Sequence, residues 1–158
     1  MNPRVWHDRR MTESSTTPQS SAPGAVWAER VGTRQYVGHN ANGAEVRVGM
    51  GPGEFSPGEL LKIALATCNT LSADHRLAKA LGEGFAATVG CSTVKNEAEE
   101  RYESFQVEIV TDLSGLDESK RSVLAERVEG AIDRSCTVGH TLEKGAAITL
   151  EIVDPDED

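Results

Sequence analysis

Aromatic side chains are scarce in this 158-residue chain, at 4% of the total. Large rings supply much of the buried area of a core, and apolar residues as a whole reach only 38%. The core is therefore expected to be thin for one freestanding domain, and association between copies would help to bury it. Positive charge is also in deficit: 16 Lys and Arg face 25 Asp and Glu, a net charge of −9. Nucleic acid and anionic membrane need a basic surface, so neither is an expected partner. No apolar run reaches the roughly twenty residues of a membrane span. The N-terminal stretch lacks the apolar h-region of a signal peptide. A cytoplasmic location is the expectation. Three cysteines do not make a disulfide framework there; a reactive pair plus one spare is the better reading. The sequence holds no internal repeat, no Gly-rich phosphate loop and no G-x-S-x-G.

What it does hold is one long helical stretch, Phe55 to Leu81, FSPGELLKIALATCNTLSADHRLAKAL. Ser56 is the N-cap, Pro57 suits the first helical position, and Ser56 with Glu59 forms an S-x-x-E capping box. Leu60, Leu61, Ala64, Leu65, Cys68 and Leu71 recur at spacings of three and four, which predicts one buried apolar stripe carrying Cys68. Gly82 stops the helix, with Arg76 and Lys79 in its last turns.

The remainder reads as follows. Residues 1–23 are rich in Ser, Thr and Pro and are expected to form a disordered tail, with Met11 as a rival start and Trp6 as the one residue there that could dock. AVWAERV and RQYVGHN read as strands joined at Gly32-Thr33, and Asn42-Gly43 turns the chain into a third strand, AEVRVG. FAATVGCSTVKN and YESFQVEIVTDL form a later pair, with Phe85, Ala87, Val89 and Cys91 on one face of the first strand. Asp117 caps a second helix with the stripe Val123, Leu124, Val128, Ala131 and Ile132. Cys136 follows, then a short helix from Thr137 and a last strand, AAITLEIV. The tail 155–158 is acidic and expected to be solvated. The order βββ-α-ββ-α-β disfavours a doubly wound sheet and predicts an α+β fold.

The segment SPGELLKIALATC, with CTVGHTLEKGAAITLEI following much later, resembles the OsmC/Ohr family of thiol peroxidases. Those proteins carry a P-x-E-L-L…A-x-C helix and a second cysteine in a C-P-V-x-x-T-L-type motif; Thr137 stands where that pattern often has Pro. The resemblance implies an OsmC-like domain over 24–154. It also implies an intertwined homodimer, with the long helices central, wrapped by antiparallel sheets, and the active site at the subunit interface. Cys68 would be the peroxidatic cysteine and Cys136 the resolving one. An Arg from the N-terminal strands would stabilise the thiolate: Arg34 matches best, with Arg30 and Arg47 as rivals. The implied partners are a hydroperoxide and an external dithiol reductant, for some members a lipoylated protein, with no metal or flavin required.

Several residues have plainer readings. A free Cys on an apolar stripe is usually a small buried hydrophobe, and Cys91 reads as core. The family's helix carries a Glu ten residues before the cysteine; here that position is Gly58, and Glu59 lies nine before. On an ideal helix ten residues leave two side chains about 80° apart and nine leave them about 180° apart. Capping alone thus explains Glu59, which stays a candidate site residue on the resemblance. Cys68, His75, Cys136 and His140 lack a standard zinc spacing. The function implied is a two-cysteine peroxidase for organic hydroperoxides. The alternative is a non-enzymatic OsmC-like protein binding an apolar ligand or partner at the dimer cleft.

Overall fold

The computed structural model describes residues 25–154. The expectations for the tails, Met11 and Trp6 included, lie outside the described residues. The chain divides into two compact units, one ending at Phe55 and the other beginning at Ser56.

The first unit is an antiparallel meander of β1 (Val26–Gly32), β2 (Gln35–Asn40) and β3 (Glu45–Val48). At the β2–β3 turn Gly43 adopts φ +83°, open to Gly without a Cβ penalty. Asn40 Oδ1 accepts from the backbone N–H groups of Asn42 and Ala44, both at 2.9 Å. At the other turn Arg34 sits at φ 59°. The predicted strand start at Arg34 is therefore corrected: Arg34 is a turn residue, because β1 and β2 separate at the Gly32–Gln35 pair. Trp27 stacks on His39 across this pair, with ring centroids 5.5 Å apart.

In the second unit α1 (Pro57–Leu81) begins at the capping box: Ser56 Oγ accepts from the Glu59 N–H, and the Glu59 carboxylate accepts from the Ser56 N–H at 2.8 Å. It packs against the antiparallel hairpin β4 (Ala87–Asn96) and β5 (Arg101–Thr111), and against α2 (Glu118–Ser135) and α3 (Thr137–Lys144). Asp117 caps α2 by accepting from the Lys120 N–H at 2.9 Å.

The core follows the second stripe more closely than the first. Ala73, Leu77 and Leu124 form its centre, with Phe85, Leu113, Leu116 and Val128 packed around it. On α1 the buried residues are Leu65, Ala66, Ala73, Leu77 and Ala78. Leu71, expected on the buried stripe, is 76% exposed, and Cys68 is half-buried. The elements of this unit cover one side of α1 and leave Leu71 bare. The last strand of the predicted order is a second correction. Residues 146–154 pair with no strand among the described residues, and Ile148, Leu150 and Ile152 are each more than 90% exposed. Their alternation is that of a strand, but the described residues offer them no ladder.

Candidate active site

Two helices bring the two predicted cysteines together. Cys68 lies midway along α1. Cys136 lies at the junction where α2 ends and α3 begins, and its side chain is the N-cap of α3. Its Sγ accepts from the Gly139 N–H at 3.3 Å. Sulfur does here what Ser or Asp usually does at a helix start, satisfying one of the unpaired N–H groups. Gly139 eases this approach: a Cβ there would stand 3.2 Å from the Cys136 sulfur, a tight contact.

Cys136 is 1% exposed. Its thiol faces Asn69 Oδ1 at 3.0 Å, and Cys68 is near enough to act on its ionisation. Burial pushes Cys136 above the ordinary thiol value of 9.0; the Gly139 N–H pulls it back, and the neighbouring Cys68 and Glu143 push it further up. The group is therefore a protonated thiol at neutral pH, and its S–H is the donor toward Asn69. Both cysteines are free.

Beside Cys136 opens a cleft of about 880 Å³; Cys68 is not among its lining residues. Leu65, Tyr102, Phe105 and Ile132 line it with Asn69 and Cys136. Polar groups line it as well, Glu103, Asp133, His140, Glu143 and Lys144 among them, so the cleft is of mixed character. Of these, His140 has its Nε2 2.8 Å from the Asp133 carbonyl oxygen. Cys91, half-buried on β4, is also held above the ordinary thiol range by burial.

The other candidates are Glu59 and Arg34. Glu59 is committed to Ser56, whose backbone N–H and hydroxyl both reach its carboxylate and hold it below the usual carboxylate range. Arg34 belongs to the other compact unit, in the β1–β2 turn. Gly58, the position where the resembled pattern has Glu, faces Tyr102: a Cβ there would meet the Tyr102 hydroxyl at 2.1 Å. An aromatic hydroxyl fills the space a side chain at 58 would take.

Sequence reasoning missed Asn69 and Tyr102. Asn69 had a signal, being a polar residue directly after Cys68 inside an apolar helical run. Tyr102 had none, since only the fold of β5 against α1 places it. The cap that Cys136 makes on the Gly139 N–H was not read from the sequence.

The family model described as OsmC-like protein matches residues 49–151. Uncharacterized proteins of Mycobacterium tuberculosis and Mycobacterium bovis are each 43% identical over 131 residues, 82% of this chain and 96% of theirs. Among solved structures, a hypothetical protein from Aquifex aeolicus VF5 has a TM-score of 0.61 at 19% identity, covering 77% of this chain and 88% of that one. The OsmC-like protein of Mycoplasma pneumoniae gives 0.56 at 13% identity, covering 79% and 90%. These structural likenesses bear on the fold alone. On the matched span and on the mycobacterial relatives, the chain belongs to the OsmC-like family.

Proposed function

We propose that this protein is a cysteine-based peroxidase reducing hydroperoxides, organic ones above all, with Cys68 peroxidatic and Cys136 resolving. One observation supports the reading: two free cysteines from separate helices are neighbours, with Cys136 hydrogen-bonded to Asn69 next to Cys68, and Cys136 lines an open cleft. As the thiolate, Cys68 attacks the distal peroxide oxygen. The O–O bond breaks, its electron pair leaves with the alkoxide, and the alkoxide takes a proton to become the alcohol. Cys68 is left as a sulfenic acid. Cys136 then attacks the Cys68 sulfur; the S–S bond forms, and hydroxide departs as water with the Cys136 proton. The burial that raises Cys136 keeps that proton available for the leaving hydroxide. An external dithiol, on a lipoylated protein for instance, reduces the disulfide. Arg34 is the proposed cation for the thiolate and the departing oxygen charge. The location proposed is the cytoplasm; no helix among the described residues is long and apolar enough to cross a membrane.

The working form proposed is a homodimer. Leu71 at 76% exposure, and Ile148, Leu150 and Ile152 beyond 90%, support it, since a second copy would give these groups cover. A stably folded monomer at micromolar concentration in analytical ultracentrifugation would overturn it.

The test of activity is consumption of cumene hydroperoxide with dihydrolipoamide as the recycling reductant. Stoichiometric peroxide is expected to remove two thiols per chain and yield one linked Cys68–Cys136 peptide pair. Cys136→Ser stops at the sulfenic acid and overoxidises to the sulfinic acid in excess peroxide. Cys68→Ser abolishes consumption, and Cys91→Ser leaves it nearly intact. Gly58 and its Tyr102 neighbour favour a second reading, a binding protein without turnover. No turnover, with no sulfenic acid on Cys68, would establish that one instead.

A further inference from the structure

A second pocket, of about 290 Å³, lies between the last turns of α1 and the first half of α2, away from the cysteine cleft. Arg76 and Lys79 reach it from α1, Lys120 and Arg127 from α2, and no carboxylate lines it. In a chain with 25 acidic residues against 16 basic ones, this inverts the overall balance. Lys120 is paired with Asp117 at 3.4 Å. Arg76, Lys79 and Arg127 make no ion pair or hydrogen bond among the described residues.

The floor is apolar. Leu124 belongs to the core cluster, Leu116 packs on it, and Val123 beside them is 41% exposed. Cations gathered without a counter-charge repel one another, and a bound anion relieves that repulsion. A bare inorganic anion would leave the Val123 and Leu124 surface wet. A neutral apolar molecule would leave the cations unpaired. An anion with an apolar tail satisfies both halves of the pocket.

We infer that this α1–α2 pocket binds an organic carboxylate with a short apolar chain. The head lies among Arg76, Lys79 and Arg127, and the tail lies on Val123 and Leu124. The site is independent of the cysteine pair and of the peroxidase reading.

The experiment titrates the full chain with sodium octanoate, followed by amide NMR and calorimetry. Saturable shifts are expected at Ala80, Ser119 and Leu124. Octanoate is expected to bind about tenfold more tightly than 1-octanol, and more weakly as salt rises from about 0.05 to 0.5 M. The double variant Arg76→Gln/Arg127→Gln should weaken binding about tenfold, the effect of losing two partly exposed charge contacts. Val123→Asp, a single change at a half-exposed position, should abolish binding even if the double variant folds poorly. Lys95→Gln, which removes one cation elsewhere, should change nothing. Five results would each overturn the inference: no saturation by roughly 10 mM; shifts centred on Gly139 and His140; octanol binding as tightly as octanoate; inorganic phosphate binding as tightly as octanoate; or a loss in Lys95→Gln equal to that in the double variant.

Discussion

Gly58→Ala should destabilise this protein although it exchanges glycine for the best helix former. In a helix interior that exchange gains about 0.5–1 kcal/mol, and in a first turn it gains less. The added Cβ would stand 2.1 Å from the Tyr102 hydroxyl, 3.3 Å from Cζ and 3.7 Å from Cε2. The ring must swing away. It then forfeits its edge-to-face contact with Phe105, centroids 5.4 Å apart, worth about 0.5–1.5 kcal/mol. It also forfeits the Lys62 ammonium 5.3 Å from its centroid, worth about 0.5–1 kcal/mol at such a site. Losses of about 1–2.5 kcal/mol against a gain of at most about 1 leave a net destabilisation of roughly 0–2.5 kcal/mol. Tyr102→Phe removes the atom in closest conflict and breaks no hydrogen bond among the described residues. The next atom, at 3.3 Å, needs to yield only a few tenths of an ångström. In that background Gly58→Ala should be neutral or slightly stabilising. The assay is urea unfolding of the four proteins of the cycle at one fixed protein concentration, read at constant m. An equal effect of Gly58→Ala in both backgrounds would refute the reasoning.

Other outcomes follow from the same structure. Leu77, 3% exposed at the centre of the core, should lose about 2–5 kcal/mol of stability on change to Ala, read by the same unfolding assay. Glu59 is held below its ordinary value of 4.5, so its contribution is present above that pH and is lost as pH falls through the lower folded value. Glu59→Gln should flatten that part of the acid limb in thermal melts taken from pH 6 to pH 3. Cys136 is shifted the other way: the stability tied to its protonated form is present below 9.0 and is lost as pH rises toward the higher folded value. Cys136→Ser should remove that alkaline loss from the same melts. Arg34→Ala should move Cys68 alkylation to higher pH if Arg34 stabilises the thiolate, and an unchanged profile would transfer the role to Arg30 or Arg47.

The parts of the fold that rest on local chemistry were legible in the sequence. Ser56, Pro57 and Glu59 announce the start of α1, Asn42-Gly43 announces its turn, and Asp117 caps α2, because caps and turns are decided within four residues. The α+β class followed from the order of the elements. The burial of α1 was less legible, because which side of an apolar helix is covered depends on elements distant in sequence. Leu71 is bare and Ala73 buried although both are apolar. AAITLEIV has the alternation of a strand, but alternation describes a face and does not supply a neighbour. At the site, the family pattern pointed to Cys68 and Cys136 as a pair. Asn69 and Tyr102 needed the fold, since their roles lie in contacts across more than thirty positions of chain.

The sulfur that caps α3 bears on how this protein could change over evolutionary time. A serine at position 136 is among the strongest N-caps, and its hydroxyl can still accept from the Gly139 N–H while donating to Asn69. The architectural duty of the position and the redox duty proposed for it therefore separate at a single codon change. A lineage could lose the second thiol with little disturbance to the junction of α2 and α3. It would then persist as a folded relative whose chemistry, if any, rests on Cys68 alone.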